Sequence, residues 1–518
     1  MTTIAQAGHM LERARWAARA YADYDRATVE AIVSAVAEAG YAEAERFAAA
    51  AVAETQMGVA AHKVVKNHAC SRGIVEHYRG EDFVTPRIDP ARKIVEVPRP
   101  AGVVLALTPT TNPVATVYFK TLLALMTRNA VVVCPHPRAK QCSADAARVL
   151  ADAAVAAGAP DGIVQVVDEP TIPLLEALMA DERTDVIVAT GGTGVVRAAY
   201  SSGNPALGVG PGNVPVLVDA TADITAAARR IVDSKAFDNS VLCTNESVLI
   251  AEESIADSLR SALTRAGAYV LSDDEAQRLR AFMFPDGHLN TDVVGRDASW
   301  IAGQAGLRVT PKTRVLVAPF DTVITEEVLA HEKLSPVLGF TTVADAQRGI
   351  RAARAVVRIG GAGHSAAIHS ENPHVITEYA AQVPVLRVSV NVGNSTGSAG
   401  LETNLDPSMT IGTGFVGRSS IGENLRPHHL LNWTRIAYNS DPAVTMPEFG
   451  GISPWRTPAG PVPVYPRASN DPAAGQPVAP VRSGTVAGGS RPLDPTLDAL
   501  RAELRKLVVE ELAQLIKR

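Results

Sequence analysis

Cysteine is scarce in this chain: Cys70, Cys134, Cys142 and Cys243 are the four among 518 residues. So few thiols over such a length build no disulfide framework, and a reducing, cytoplasmic setting is expected. Aromatic residues make up only 5%. No uncharged apolar run approaches the ~20 residues of a bilayer-spanning helix, so no membrane partner is expected. The opening "MTTIAQAGHMLERARWAARA" carries charge early and lacks an apolar h-region, so no secretory signal is expected. Long basic runs are missing too. Lys and Arg total 49 against 54 Asp and Glu, a formal charge of −5, which offers nucleic acid no electrostatic footprint.

What is present is an ordinary globular composition, 47% hydrophobic and 20% charged, in a chain too long for one core. To about Val65 the chain is rich in Ala, Glu and Arg with apolar residues recurring at three and four, which predicts helices. "KIVEVPRP" predicts an edge strand or arm, because proline is poorly tolerated in a central strand. Then "AVVVC", "GIVQVV" and "TDVIVATGG" alternate with the helical stretches "SADAARVLADAAVAAG", "IPLLEALMAD" and "GTGVVRAAYSS". That alternation predicts an α/β fold, a parallel sheet covered by helices, with nucleotide bound at the strands' carboxyl ends. A second α/β stretch holds "ESVLIAEE", "TRVLVAPF" and "SAAIHS". The expected organisation is a Rossmann-type cofactor domain over 1–237 with an arm at about 85–100, an α/β catalytic domain over 238–424, and a return segment over 425–450.

Residues 451–490 are dense in Pro, Gly, Ala and Ser and predict a disordered or extended linker. Residues 491–518 predict a helix, with Asp494 as cap, Pro495 in its first turn, and a stripe from Leu497 through Leu504 and Leu512 to Ile516. A lone helix of that length needs a partner for its stripe, either its own core, a neighbouring copy or another protein. From Asp494 to Arg518 five acidic and five basic residues balance, which gives anionic lipid no cationic face.

Chemistry gathers in five stretches that occur in order: "ALTPTTNP", "ATGGTGVV", "GVGPGNVP", "KAFDNSVLCTNE" and "HEKLSPVLGF". Together they resemble the aldehyde dehydrogenase superfamily, in particular its CoA-acylating branch, over roughly residues 20–440. The resemblance implies that Cys243 is the nucleophile that attacks an aldehyde carbonyl and carries a thioester. No Lys, Arg or His lies within four residues of it, so any activation comes from backbone or from afar. The alternative for a lone cysteine is a small buried hydrophobe.

By the same resemblance Asn112 donates to the oxyanion, though Asn before Pro is also a common turn residue. Gly191, Gly192 and Thr193 border a pyrophosphate, Glu332 binds ribose, and Thr108, Pro109 and Gly210 border the cofactor, NAD. Hydrolytic members carry a Glu that activates the deacylating water; here Gly208 stands in its place, which implies coenzyme A as acyl acceptor. His136 and Arg138 replace the lysine that holds the adenosine ribose in hydrolytic relatives. His331 is a candidate base for the CoA thiol, and equally a helix-end histidine. His364 and the pair His428–His429 resemble positions in relatives without an evident role. Cys134 and Cys142 read as packing residues, and His62, His68 and Cys70 as a helix face. No CxxC or HxxxH spacing accompanies the former pair, so no metal site is expected.

The implied activity is oxidation of a short-chain aldehyde, propionaldehyde or acetaldehyde, to acyl-CoA. The linker and last helix resemble the encapsulation peptide of bacterial microcompartment cargo, which implies shell or cargo partners. The arm implies a homo-oligomer. The alternatives are a hydrolytic enzyme with another base, or a catalytically idle scaffold acting through its last helix.

Overall fold

The computed structural model describes residues 3–466; the predicted helix over 491–518 and most of the predicted linker lie outside the described residues. Helices open the chain as expected: Thr3–Tyr21, Arg26–Ala42, Ala44–Thr55 and Ala60–His68. Arg26–Ala42 starts where the Asp25 carboxylate accepts from the Thr28 amide at 2.9 Å. It buries Val29, Ile32, Val33, Val36 and Ala37, the period-3.6 face.

The alternating segment forms a five-stranded, all-parallel sheet in the order Val164–Val166, Ala130–Pro135, Val103–Thr108, Val186–Thr190, Ala206–Val209. Val103–Thr108 and Ala130–Pro135 are buried at every position, which is why each reads as an unbroken apolar run. The strand order reverses between Val103–Thr108 and Val186–Thr190. A crevice therefore opens at the carboxyl ends of these two neighbours.

A second parallel sheet has seven strands, in the order Ala268–Val270, Val315–Pro319, Val337–Val343, Glu246–Glu252, Val214–Val218, Ala366–His369, Val388–Val390. The sequence reading placed the domain boundary at Asp238. Val214–Val218 already belongs to the second sheet, and the following helix Ile224–Ala236 packs Ile231 and Val232 into the same core. No change of composition marks this crossing, so the pattern did not reveal it.

Three antiparallel strands form the arm: Arg87–Asp89, Ile94–Pro100 and Leu431–Ala437. The proline-bearing strand lies in the middle of this sheet rather than at an edge. The reason is register. Ala101 donates its amide to Leu430, so the odd-numbered amides of this strand face Leu431–Ala437. Pro98 and Pro100 lack their N–H on the other side, where Arg87–Asp89 ends opposite Glu96.

The first part of the predicted linker is extended, and it is held. Trp455 Nε1 donates to the Val84 carbonyl at 2.6 Å, and the Arg128 guanidinium lies 4.1 Å over the Trp455 ring. Tyr465 packs edge-on against Trp16. Among the described residues no helix is long and apolar enough to cross a membrane.

Candidate active site

A cavity of about 400 Å³ opens at the carboxyl ends of Val103–Thr108 and Val186–Thr190 and runs to the loop that carries Cys243. That loop is built against backbone preference. Asp238, Asn239 and Ser240 take φ of 49°, 50° and 63°, a left-handed conformation that costs L-residues roughly 1–2 kcal/mol each. Its surroundings hold it there. Asn239 Nδ2 donates to the Gly295 carbonyl at 2.9 Å, the Leu242 amide to Asn245 Oδ1 at 2.8 Å, and the Val59 amide to Asp238 Oδ1 at 2.7 Å. Gly212 packs its Cα on the Cys243 carbonyl, where any Cβ would collide.

Nine of the twelve residues singled out in the sequence line this cavity: Thr108, Pro109, Asn112, His136, Gly191, Gly192, Gly210, Cys243 and Glu332. Three do not. Thr193 sits just behind Gly192 as the first residue of helix Thr193–Ser201. Arg138 is exposed in the turn after His136, its amide donating to His136 Nδ1 at 3.1 Å. The ring of His331 turns to the Thr325 carbonyl at 2.8 Å, while its neighbour Glu332 faces the cavity.

Cys243 is half-buried at the cavity wall. Burial and the nearby Glu332 carboxylate push its thiol up to about 12, against the pull of its own backbone amide and Arg387. Glu332 is itself raised to about 8 by burial, although the Gly212 amide, Lys235 and Lys333 favour its ionised form. It is the only carboxyl side chain among the cavity's lining residues.

Asn112 is buried, with Nδ2 3.2 Å from Thr111 Oγ1 and 3.4 Å from the Val241 carbonyl. Behind it lies a group the sequence reading missed. Lys66 Nζ donates to Asn112 Oδ1 and pairs with Asp238, and Lys63 Nζ reaches Asp238 Oδ2 at 3.0 Å and the Thr111 carbonyl at 3.2 Å. On the page these lysines are merely the i and i+3 members of "HKVVKNH", which reads as a solvated face.

Residues 108–109 and 190–192 form a cradle suited to a dinucleotide. Thr108 Oγ1 is a buried hydroxyl without a protein partner, on the cavity wall. A Cβ at Gly192 or Gly194 meets nothing within 4 Å, so the first turn of helix Thr193–Ser201 lies open. Lysine and arginine are absent from the lining, which leaves backbone amides and the helix terminus to hold a pyrophosphate. Gly208 stands off this wall. A Cβ there would lie 2.8 Å from both the Tyr200 ring and Val196, and Tyr200 is fixed by bonds to the Gly208 amide at 2.9 Å and Ser419 at 3.1 Å. A glutamate does not fit at that position without displacing Tyr200.

Elsewhere, Cys134 and Cys70 are buried and their thiols are each pushed up to about 12 by burial. His62 accepts from the Asp238 amide at 2.8 Å and His68 stacks on Tyr41, so the two serve different neighbours. His364 is fully buried with Nε2 unpartnered. Glu423, His428 and His429 bring ligand-type atoms within 4.8 Å of one another. The Arg426 Nε lies 2.9 Å from both His428 ring nitrogens, a cation where a metal ion would need the same lone pairs.

The profile of the aldehyde dehydrogenase family matches residues 1–279. The aldehyde-alcohol dehydrogenase of Clostridium acetobutylicum is 37% identical over 444 residues, 84% of this chain and 51% of that protein. The chain thus spans about half the length of the first curated relatives it matches. A crystal structure of an acetylating aldehyde dehydrogenase from Geobacillus thermoglucosidasius superposes with a TM-score of 0.83 at 37% identity, covering 86% of this chain and 98% of that one. A propionaldehyde dehydrogenase from the Clostridium phytofermentans fucose utilisation bacterial microcompartment superposes with a TM-score of 0.76 at 28% identity, covering 83% and 97%. With the strand order, the crevice and a cavity lined by both Cys243 and Asn112, these similarities identify the chain as a member of the aldehyde dehydrogenase family.

Proposed function

We propose that this chain oxidises a short-chain aldehyde, propionaldehyde or acetaldehyde, to its acyl-CoA. The observation that carries this reading is that Cys243 and Asn112 line one cavity while Gly208 is packed under Tyr200, where no water-activating carboxylate fits. In this reading Cys243 Sγ, once deprotonated, bonds the aldehyde carbon and the carbonyl electron pair moves to oxygen. Asn112 Nδ2 is the side-chain donor for that oxyanion, a contribution of ~3 kcal/mol when such a donor is well placed. A nicotinamide dinucleotide, NAD, supplies the hydride acceptor when bound. Thr108, Pro109, His136, Gly191, Gly192, Gly210 and Glu332 border the space for it, with Thr193 opening the helix behind and Arg138 exposed in the turn after His136. The resulting thioester on Cys243 waits for the thiol of CoA. His331 is a weak candidate for the base that deprotonates it, since its ring is engaged with Thr325.

The test is product analysis with NAD and aldehyde, with and without CoA. Acyl-CoA formed only with CoA is the expected result; free acid as the sole product would overturn it. The second reading, hydrolysis, has one observation in its favour. Glu332 lies on the cavity with its carboxyl raised to about 8, near the working pH of a general base. It predicts free acid without CoA, abolished in Glu332→Gln.

The tail is proposed to act as an encapsulation peptide that binds shell or cargo proteins of a bacterial microcompartment. Its amphipathic pattern supports this, as does the likeness to a propionaldehyde dehydrogenase described from such a compartment. The arm is proposed to pair between copies, since Leu431–Ala437 is an edge strand with exposed side chains. Light scattering of the full chain reads the oligomer. Compartment recruitment of a fluorescent protein fused to residues 491–518 reads the tail, and a diffuse signal would count against it.

A further inference from the structure

Asn112 belongs to two walls. One faces the active-site cavity together with Cys243. The other faces a void of about 10 Å³ bordered by Lys63, Lys66 and Asn67, all buried. From this second side Lys66 Nζ donates to Asn112 Oδ1 and to Asp238 Oδ2. The carboxylate is fully buried five positions ahead of the nucleophile, in the left-handed run that shapes its loop. Lys63 bonds the same carboxylate and the carbonyl of Thr111, the residue before Asn112.

A carboxamide can turn either end to a reacting oxygen. Its carbonyl end repels a developing oxyanion, and its NH2 end stabilises one. An ammonium has three donors and no acceptor, so the only end of Asn112 that can face Lys66 is the oxygen. That leaves Nδ2 on the other side. The positive charge also draws electron density toward Oδ1, which makes the N–H a better donor in a low-dielectric site. We infer that Lys66, held by Asp238, is a positioning residue that fixes and polarises the Asn112 carboxamide as an oxyanion donor. The lysine touches no reacting atom; its effect passes through Asn112. This rests on the reading of Asn112 and Cys243 given above.

The test compares two attacks by Cys243 in the full chain, located by peptide mass spectrometry. Acylation by p-nitrophenyl acetate passes through an oxyanion. Sγ bonds the acyl carbon, the carbonyl pair moves to oxygen and returns, and p-nitrophenolate leaves with the electrons of its C–O bond. Alkylation by iodoacetamide forms the S–C bond and expels iodide, with no oxyanion. Lys66→Met is expected to lower the acylation-to-alkylation ratio roughly tenfold or more, short of the roughly hundredfold expected for Asn112→Ala, with alkylation itself within about twofold. Combining the two is expected to add less than about twofold to Asn112→Ala alone, because both remove one interaction.

An unchanged ratio in Lys66→Met, effects that multiply, or alkylation falling in step with acylation would each overturn the inference. An unchanged ratio in Asn112→Ala is a different failure, that of the oxyanion reading itself. If Lys66→Met does not fold, Lys66→Ala is read with and without ethylammonium, which is expected to restore the ratio; no rise with the amine overturns the inference.

Discussion

The two walls of the active-site cavity are made differently. The wall on the five-stranded sheet is neutral: Thr108, Pro109, Gly191, Gly192 and Val195, set by strand ends and a helix start. Lys120, buried and absent from the lining, donates to the Leu107 and Val188 carbonyls at 2.6 and 2.8 Å. The wall that carries Cys243 is backed by buried charge. Lys63, Lys66 and Asp238 stand on one side of the Cys243 loop, and Lys235 and Lys333 near Glu332 on the other, with Glu246 acting on Lys235. A dinucleotide needs shape and backbone amides, which a sheet edge supplies through sterics alone. The proposed nucleophile sits on a left-handed loop, and such a loop needs groups that fix position against strain. The buried pairs of Lys63 and Lys66 with Asp238, drawn from distant segments, do this on one side of the loop, provided each charge stays paired.

The comparison breaks first at the sulfur. Cys243→Ala is expected to lower acyl-CoA formation by roughly a thousandfold or more, since loss of a nucleophile removes the whole covalent route. NADH binding, read by fluorescence, is expected to stay within about twofold, because the cradle at Gly191 and Gly192 belongs to the other wall. Loss of both together would show that the walls do not function separately.

Next in size is stability. Asp238→Asn leaves Lys63 and Lys66 facing each other without their common counter-charge. Burial alone would raise the Asp238 carboxyl; the two lysines overcome it and hold it below the usual range. Breaking such a pair costs about 3–5 kcal/mol. Gly192→Ala, at a helix start where a Cβ meets nothing within 4 Å, is expected to cost about 1 kcal/mol or less. Thermal unfolding of the two variants checks the contrast, and equal losses would remove it.

What the sequence revealed follows the same division. The cradle, Asn112 and Cys243 were legible because each sits in a short local pattern. The alternation of apolar runs and helices predicted a parallel sheet covered by helices, though not its edge strand Ala206–Val209. Helix Pro113–Met126 was not legible, because it is buried at every position and shows no polar face. Strand Val214–Val218 was passed over because only its pairing with Glu246–Glu252 and Ala366–His369 makes it part of the second sheet. The Lys63–Lys66–Asp238 group joins residues 172 and 175 positions apart, a separation at which sequence spacing says nothing. Trp455 and Tyr465 tie down an extended stretch whose composition alone suggested only a linker.

The finest test concerns how the charged wall treats its own nucleophile. With its thiol pushed up to about 12 by burial and then by Glu332, Cys243 is almost wholly protonated at neutral pH in the free enzyme. Iodoacetamide reacts with the thiolate, so its rate follows the ionised fraction. Between pH 7 and 9 that fraction rises somewhat less than tenfold per unit, because Glu332, raised to about 8, ionises over the same range and opposes the thiolate; it has not begun to saturate, whereas an ordinary thiol near 8.5 would already bend toward a plateau. The expected profile is therefore a rise without plateau through pH 9, with a slope somewhat below one. Glu332→Gln removes the repelling carboxylate, the second cause of the shift after burial, and is expected to leave the rate nearly unchanged at pH 7, raise it a few-fold at pH 9 and restore a unit slope. A plateau below pH 9 would mean that the cavity already activates the thiol without substrate or cofactor, and the charged wall would then have to be read as lowering, rather than raising, the proton affinity of the sulfur it surrounds.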